Sequence, residues 1–379
     1  MKKYSAKKIY TLDTAPIDNG VVIVDQNNTI TDILDSSIGL EDVEHFDGYI
    51  CPGFINTHCH LELSHLANKI TQGAGLTEFI KEVQLKRNIY SKDEITKAIA
   101  DAEQTMIHNG IVAVGDITNS DVSFNQKNKK NLKYHSFIEV FGLQKTTDTI
   151  IKESNELLNK APQTSSITPH APYSVSEEHF KTINTISDSG TLISVHNQES
   201  EEENKLYHHR QGKFLNLYEH FKIDLTNFNT YNKTSVKTYL QWLKNGKKLL
   251  VHNTYTNKDD LDFIKKQNNI YICLCPGANL YIEKKLADIK MLHKSNIPIT
   301  IGTDSLASNN NLCILSEILI ILKQYPEITL QEVLSWACKN AAEYFGYTQL
   351  GTLTIGKSPG LLSIDIEKKE VFLITNANF

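Results

Sequence analysis

The stretch GFINTHCHLELSHL, residues 53–66, joins a short apolar run to two histidines that lie one residue apart. The run predicts a β-strand, and side chains alternate between the two faces of a strand. His58 and His60 therefore point to one face, while Cys59 points to the other. Two imidazoles on one face at this spacing can bind a single metal ion. Any further ligands of that ion must come from elsewhere in the chain.

Strand-like apolar runs of this kind recur and alternate with stretches of helical periodicity. The runs are YICPGFINTHCH, GIVAVGDITN, YHSFIEVFG, SSITPHAPY, TLISVHNQES, KLLVHNTY, NIYICLCPGANL and IPITIGTDSL. The helical stretches between them include TEFIKEVQLKRNIY, DEITKAIADAEQTMIHNG and DLDFIKKQNN. Eight strands that alternate with helices are typical of a (β/α)8 barrel. The sequence therefore predicts an α/β fold with a TIM-like barrel over residues 51–351.

Both ends of the chain have β character. Near the N terminus, GVVIVDQNNTITDIL holds two apolar runs around the turn-forming DQNN and predicts a hairpin. The closing LGTLTIGKSPGLLSIDIEKKEVFLI returns to strand-like patterning. We expect residues 1–50 and 352–379 to pair in a small β-sandwich domain beside the barrel.

Composition excludes several classes of protein. The net charge of −5 over 379 residues argues against nucleic acid or an anionic membrane surface as the main partner. The first residues lack the apolar core of a signal peptide, and no run is long and apolar enough to span a bilayer. Six cysteines in a chain of this length are expected as reduced thiols rather than as a disulfide framework. These features predict a cytoplasmic protein that acts on a small molecule.

Polar residues gather at the carboxyl ends of the predicted strands, where (β/α)8 barrels carry their active sites. Five histidines and two acids lie there, namely His58, His60, His170, His196, Glu199, His252 and Asp304. Each residue taken alone has an ordinary structural explanation, such as a helix cap or a packed strand end. Their shared position on one rim favours a common site.

The motifs PGFINTHCH, TPHAPYSVS, HNQES, VHN, CPGANL and GTDSLASNNNL resemble those of the metal-dependent amidohydrolase superfamily. They are most similar to its aminohydrolase branch, which holds guanine deaminase, S-adenosylhomocysteine and adenosine-type deaminases, and triazine chlorohydrolases. The resemblance extends over essentially the whole chain. It implies a hydrolase that acts on carbon–nitrogen bonds other than peptide bonds, with a homodimer as a possible assembly.

The resemblance also implies a metal centre. One divalent ion would be bound by His58, His60, His196 and Asp304. Three imidazoles and a carboxylate suit Zn²⁺, with Fe²⁺ or Mn²⁺ as alternatives. The ion would lower the pKa of its bound water, so that hydroxide is available near neutral pH.

Catalytic roles follow from the same resemblance. Asp304 would take the proton of the water, and His252 would orient the water and stabilise the developing charge. Glu199 would protonate the ring nitrogen while hydroxide attacks the adjacent amidine carbon, after which ammonia leaves. His170 matches a histidine that contacts the substrate. The implied reaction is hydrolytic deamination of an amino-substituted heteroaromatic ring, in an adenine nucleoside-like compound, another purine or a pterin.

Three further polar residues have open roles. Glu62 either contacts the substrate or caps the segment that follows it. Asn279, in CPGANL, resembles a family position near the substrate. Glu139 lies in the otherwise apolar SFIEVFG, where an unpaired acid is costly to bury. It therefore needs a partner, which is a metal, a histidine or a substrate group.

Two rival functions stay open. One is an amidohydrolase that cleaves a cyclic amide or acyl group, for which a second metal bridged by Glu139 is the expected sign. The run SSITPHAPY lacks the lysine that commonly bridges two metals in binuclear members, which favours a single ion. The other rival is a non-catalytic binding module, which the complete set of expected ligands disfavours. We expect residues 71–90 and the helix-rich insertion 201–235 to form the walls that select the substrate.

Overall fold

A computed structural model describes residues 1–226, 228 and 231–378 of the chain. The strands are β1 (Lys2–Ile9), β2 (Ile17–Asp18), β3 (Val21–Val24), β4 (Ile30–Leu34), β5 (Val43–Pro52), β6 (Phe54–Cys59), β7 (Ile111–Thr118), β8 (Lys133–Val140), β9 (Thr164–Pro169), β10 (Leu192–Asn197), β11 (Lys247–His252), β12 (Ile270–Leu274), β13 (Ile299–Ile301), β14 (Pro359–Asp365) and β15 (Glu370–Ala377). The α-helices are α1 (Leu76–Lys86), α2 (Lys92–His108), α3 (Phe124–Lys127), α4 (Thr147–Leu158), α5 (Glu177–Ile186), α6 (Glu201–His209), α7 (Lys213–His220), α8 (Ser235–Tyr239), α9 (Lys258–Ile264), α10 (Pro276–Glu283), α11 (Ile289–His293), α12 (Ile314–Gln324), α13 (Leu330–Ala337) and α14 (Lys339–Phe345).

Eight central strands form two parallel sheets, in the orders β6-β7-β8-β9 and β10-β11-β12-β13. A parallel bridge between Cys59 and Asp304 links the two outer edges. At the other junction, the backbone N–H of Ser194 donates to Thr168 Oγ1 over 2.8 Å. All residues of β6 and β7 are buried, as expected for strands covered on both faces. The strands alternate with helices in the order that the sequence predicts, so the fold is α/β with parallel sheets.

The core lies between these strands and the helices packed outside them. Phe54 and Ile272 from the strands cluster with Met106, Ile318 and Leu334 from α2, α12 and α13. Helix α2 begins at a capping box, in which the side chains of Ser91 and Glu94 satisfy each other's backbone N–H groups. The helices therefore begin and pack where the apolar periodicity places them.

Both termini contribute to one seven-stranded sheet, with the order β15-β14-β5-β1-β3-β4 and β2 paired to β1. The predicted N-terminal hairpin is confirmed as the antiparallel pair β3 and β4. The C-terminal strand β14 pairs with β5, which joins the two ends of the chain. The β-sandwich arrangement of this sheet and the domain boundaries at residues 50 and 352 stay predictions.

Two predicted runs are divided differently in the structure. YICPGFINTHCH holds the end of β5 and all of β6, and Gly53 separates the two strands. A Cβ atom at position 53 would lie 2.5 Å from Val112 Cγ1 and 2.7 Å from the carbonyl oxygen of Pro359. NIYICLCPGANL holds β12 and the start of α10, because Pro276 sits in the first turn of a helix without breaking it. Apolar runs alone do not reveal either junction.

The six cysteines form no disulfide in the described structure, as the sequence predicts. Among the described residues, no helix combines the length and the apolar character that crossing a membrane requires.

Candidate metal and substrate site

Four predicted ligands meet at the carboxyl ends of β6, β10 and β13. His60 Nε2 lies 3.2 Å from His58 Nε2, 3.2 Å from His196 Nε2 and 3.3 Å from Asp304 Oδ1. Ligand atoms in a tetrahedral site with bonds of 2.0–2.1 Å lie about 3.3 Å apart. His60 Nε2 thus lies at ligand spacing from each of the other three side chains, and His58, His60 and Asp304 together could hold an ion.

The hydrogen bonding and burial of the histidine rings bear on metal binding. His196 Nδ1 lies 2.9 Å from the carbonyl oxygen of His170, which can only accept, so Nδ1 carries the proton and Nε2 is left bare. Burial lowers the pKa of His60 to about 3 and that of His196 well below its ordinary value. Burial also acts to lower the pKa of His58, but the hydrogen bond and charge of Asp304 raise it above its ordinary value. Metal ligation requires neutral imidazoles, which burial favours at His60 and His196.

The Asp304 carboxylate is positioned by the loop that follows β13. The backbone N–H groups of Thr303 and Asp304 both donate to the carbonyl oxygen of His58. Ser308 Oγ donates to Asp304 Oδ2 over 2.7 Å. Burial acts to raise the pKa of Asp304, but the hydrogen bond and charge of His58 and the neighbouring histidines hold it below its ordinary value. The Asp304 carboxylate thus faces the imidazoles of His58 and His60.

Tight backbone geometry brings these side chains together. Asp304 and His252 have φ values of 58° and 72°, in the left-handed region that non-glycine residues rarely adopt. At Gly302, a Cβ would lie 2.8 Å from His58 Cβ and 3.0 Å from Cys273 Sγ. A larger residue at position 302 would displace His58. Backbone strain of this kind tends to concentrate at functional sites.

Glu199 and His252 lie beside the ligands. His252 Nε2 is 3.6 Å from Glu199 Oε1, is buried and has no hydrogen-bond partner in the described structure. The other ring nitrogen, Nδ1, donates to Asn279 Oδ1 over 2.9 Å. Burial and the charge of Asp304 raise the pKa of Glu199 well above its ordinary value. The arrangement places a carboxyl group whose pKa is raised and a bare imidazole nitrogen on one side of the cluster.

Asn279 accepts a hydrogen bond from His252 and is not among the residues that line the cavity. CPGANL turns from β12 into α10, so that Asn279 faces the adjacent strand end. Its contact with the substrate stays a prediction, and the hydrogen bond gives it a second role beside His252.

A cavity of about 380 Å³ opens in front of the cluster. Its reactive end is lined by His60, His170, His196, Glu199 and Asp304. Its walls are mainly apolar and come from α1 and from α7 with the residues that follow, namely Leu76, Phe79, Ile80, Val83, Phe214, Leu217, Tyr218, Phe221 and Ile223. Parts of both predicted wall segments, residues 76–87 and 214–223, thus line the pocket. Residues 227, 229 and 230 of the predicted insertion lie outside the described residues. This volume is in the usual range for a small-molecule site.

Comparison with known proteins places this site in a family. A model of the amidohydrolase family matches residues 49–379. The chain belongs to the amidohydrolase family.

Two curated relatives of this amidohydrolase are deaminases. The chain is 28% identical to an adenosine deaminase of Helicobacter pylori over 277 residues, which cover 71% of the chain and 66% of that relative. It is 24% identical to a 5-methylthioadenosine/S-adenosylhomocysteine deaminase of Bacillus cereus over 384 residues, covering 93% of the chain and 82% of that relative. The alignment with the first relative thus spans slightly less than two thirds of its length.

Two solved structures share the fold. The aminofutalosine deaminase of Helicobacter pylori, in complex with methylthio-coformycin, matches with a TM-score of 0.83 and 22% identity, over 100% of this chain and 94% of that one. An adenosine deaminase from Xanthomonas campestris with bound zinc matches with a TM-score of 0.74 and 17% identity, over 96% and 84%.

Glu139 and His170 lie on the wall of this amidohydrolase's cavity. Asn119 Nδ2 donates to Glu139 Oε2 over 2.8 Å, while Glu139 Oε1 is buried without a partner, 3.7 Å from His196 Nδ1. Burial raises the pKa of Glu139 to about 7. Ser174 Oγ lies 2.6 Å from His170 Nδ1 and fixes that ring. Glu139, His170 and His196 could themselves hold an ion.

Glu62 lines the cavity, so its contact with the substrate stays a prediction, and it also has bonds that the sequence did not indicate. Its carboxylate accepts hydrogen bonds from the backbone N–H groups of Asn119 and Ser120 and from Ser120 Oγ. It also pairs with Arg87 Nη2 over 2.9 Å. Glu62 thus ties the loop after β7 to the end of α1, at the edge of the cavity.

Sequence reasoning missed three residues of the site. Arg87 and Asn119 line the cavity, but neither lies in a recognisable motif. Lys127 is fully buried and pairs with Asp116 over 2.6 Å, while Asp116 Oδ1 accepts from the backbone N–H of Leu61 over 2.7 Å. A buried pair of this kind fixes the turn that follows His60. The isolated acid inside the apolar β7 run was the one indication of it in the sequence.

Proposed function

We propose that this chain is a metal-dependent hydrolytic deaminase that releases ammonia from the amino-substituted ring of an adenosine-like nucleoside. The observation that carries the proposal is the meeting of His58, His60, His196 and Asp304 beside the buried Glu199 at one end of a largely apolar cavity. The deaminase relatives of the chain support the same reaction.

His58, His60, His196 and Asp304 would hold the ion. The donor set suits Zn²⁺, and the zinc-bound adenosine deaminase of similar fold supports that choice. When bound, the ion would supply Lewis acidity that makes an attacking water a better nucleophile near neutral pH.

Asp304 and Glu199 then transfer the protons of the reaction, with His252 beside them. Asp304, held ionised, accepts a proton from the attacking water. His252 presents its bare Nε2 toward the same space, because Asn279 holds the proton on Nδ1. Glu199, whose pKa is raised by burial and by the charge of Asp304, would donate a proton to the ring nitrogen beside the carbon that is attacked. Ammonia leaves once its nitrogen has received a proton.

The cavity wall would orient the nucleoside. His170 lies between the ligand cluster and the apolar wall, where it can contact the ring or the sugar. The walls from α1 and α7 extend well past the reactive end, which leaves room for a substituent on the sugar. A relative named for methylthioadenosine and S-adenosylhomocysteine supports a substrate of that shape.

Three finer predictions, two on the fold and one on cellular location, belong to the same proposal. The two four-stranded sheets would form one closed (β/α)8 barrel, supported by the bridge between Cys59 and Asp304 and by the Ser194–Thr168 contact at the other junction. The terminal sheet would be a separate small domain. The chain would act in the cytoplasm, which its free thiols support.

A two-metal amidohydrolase is the second candidate, and the Glu139, His170 and His196 group is the observation behind it. His196 argues against it. Its Nδ1–H already donates to the carbonyl oxygen of His170, so the ring has only Nε2 to offer an ion. We therefore assign Glu139 to the substrate side of the site.

Ammonia release tests the proposal. The purified chain is assayed with adenosine, 5′-methylthioadenosine, S-adenosylhomocysteine, guanine and an aminopterin, before chelation, after chelation and after zinc is restored. We expect ammonia from at least one adenine nucleoside, lost on chelation and recovered with zinc. Ammonia from none of the adenine nucleosides in the zinc-loaded protein would contradict the proposal.

A further inference from the structure

Gln198, directly before the proposed proton donor Glu199, lies in an unusual backbone conformation. Its φ is 47°, in the left-handed region that non-glycine residues rarely adopt. The residue is completely buried and sits where the chain turns from the end of β10 toward α6. Such a conformation persists only where the surrounding structure fixes it. The contacts of Gln198 therefore determine the direction in which Glu199 leaves the strand.

Glu203, on α6, holds the backbone of Gln198. The backbone N–H of Gln198 donates to Glu203 Oε1 over 3.1 Å, and Ser235 Oγ donates to the same oxygen. The Glu203 side chain is completely buried, and burial raises its pKa to about 7. A carboxyl group is costly to bury without a purpose. Its hydrogen bond to the turn after β10 supplies a purpose.

The side-chain amide of Gln198 is held as firmly as the backbone. Its Nε2 donates to Asp260 Oδ2 over 2.8 Å and to Asn204 Oδ1 over 3.1 Å. Its Oε1 accepts from Thr256 Oγ1 over 2.7 Å. Asp260 lies on α9 and is completely buried. The amide cannot rotate without breaking several hydrogen bonds, so α9 as well as α6 fixes Gln198.

Gln198 also joins the loop of Glu199 to the loop of His252. Its carbonyl oxygen accepts from the backbone N–H of Tyr255 over 2.9 Å, in the loop that follows β11. Glu199 Oε1 and His252 Nε2 lie 3.6 Å apart across these two loops. A shift of Gln198 would therefore change the spacing of the two side chains.

We propose that Glu203 and Asp260 are positioning residues, which hold Gln198 so that the Glu199 carboxyl group faces the reactive end of the cavity. The inference rests on the proposed deaminase function and adds residues that act through the proton donor. Glu199 lines the cavity, whereas Gln198, Glu203 and Asp260 are not among the residues that line it. Proton transfer requires hydrogen-bond reach, and a misplacement of about 1 Å can lower a rate about 100-fold.

The variants remove one contact of Gln198 at a time. Glu203→Met removes the acceptor of the backbone N–H, while Glu203→Gln keeps an acceptor oxygen in a side chain of the same shape. Asp260→Leu removes an acceptor of the amide. Thr256→Val is the mildest change, because it removes only the hydroxyl that donates to Gln198 Oε1.

Glu201→Gln on α6 and Asp262→Asn on α9 are the matched controls, because both side chains are exposed. Each variant is prepared alone and in combination with Glu199→Gln. Ammonia release from the best adenine nucleoside gives kcat and KM, and elemental analysis gives the metal content. The double-mutant cycle separates action through Glu199 from a general loss of structure.

We expect Glu203→Met and Asp260→Leu to lower kcat by about 10- to 100-fold, with KM and metal content within about twofold. In the Glu199→Gln background the same changes should alter kcat by less than about twofold, because the group through which they act is already absent. Glu203→Gln and both controls should keep most of the wild-type kcat. An equal fold-loss of kcat in both backgrounds, or loss of metal, would overturn the inference.

Crystal structures of the wild-type and Glu203→Met proteins distinguish failure of this inference from failure of the proposed function. We expect the variant to lose the left-handed φ of Gln198 and to move Glu199 Oε1 by about 1 Å or more from its place beside His252. If no nucleoside releases ammonia but this shift occurs, the deaminase function is wrong and the positioning assignment stands. If ammonia is released and Glu199 stays in place, the reverse holds.

Thr256→Val decides the question if Glu203→Met and Asp260→Leu do not fold. It keeps both buried acids and should lower kcat about threefold alone and not at all beside Glu199→Gln. The same loss of kcat in both backgrounds would overturn the inference.

Discussion

The ligand cluster and the cavity wall meet at one site but are built differently. The cluster is carried on strand ends, where His58, His196 and Asp304 are fixed by parallel pairing and short backbone hydrogen bonds. The wall is carried on α1 and α7, in connections outside the central sheets. The difference separates two tasks, since rigid strand ends fix the chemistry while variable connections choose the substrate. Changes in the cluster should therefore alter metal content and kcat, and changes in the wall should alter KM.

The largest effect is expected from His196→Ala. Removing one of four ligands should abolish stable metal binding and lower kcat/KM by about 10⁴-fold, because the ion supplies several kcal/mol of catalysis. Elemental analysis and ammonia release measure both effects. His209→Ala, on the exposed end of α6, is the control. Full metal occupancy in His196→Ala would remove this residue from the ligand set.

Glu199→Gln separates proton donation from metal binding. The amide keeps the shape but cannot serve as the acid, so kcat should fall on the order of 10³-fold while metal content is unchanged. Steady-state kinetics and elemental analysis on one preparation test this. Glu201→Gln, an exposed neighbour on α6, should behave like the wild-type protein. An unchanged kcat in Glu199→Gln would exclude Glu199 as the donor.

Asn279→Ala tests whether Asn279 acts with the ligand cluster or with the cavity wall. If Asn279 orients His252, its loss should lower kcat by about 10-fold with little change in KM. If it contacts the substrate, as the motif resemblance implied, KM should rise instead. The split between kcat and KM in a single variant distinguishes the two roles, and a pure rise in KM would contradict the structural assignment.

The sequence predicted which residues meet in the cluster and which two segments form the wall, but not the individual polar residues of the wall. The alternation of side chains in strands places His58 and His60 on one face, so spacing alone groups these two side chains. Arg87 carries no such indication, because its place in the cavity depends on how α1 packs over the strand ends. The hydrogen bond between Asn279 and His252 could not be inferred from the motif, because a resemblance in sequence does not show which way a helix turns. Glu62 was ambiguous because its partners, such as Ser120, are distant in sequence.

The smallest effect is expected in the wall. Phe79→Ala removes apolar surface from the cavity and should raise KM about 10-fold for a nucleoside with an apolar arm. Metal content and kcat should stay within about twofold. Leu85→Ala on the same helix is exposed and does not line the cavity, so it serves as the control. Loss of metal in Phe79→Ala would contradict the claim that the ligand cluster alone determines metal binding and the cavity wall determines KM.

Metal stoichiometry tests the central claim most directly. The number of ions per chain is measured by elemental analysis in the wild-type protein and in Glu139→Gln after loading with zinc and removal of excess. The account predicts one ion per chain in both, because His196 offers only Nε2 and Glu139 faces the substrate. Two ions per chain in the wild-type protein, falling to one in Glu139→Gln, would contradict it and establish a bridged two-metal centre.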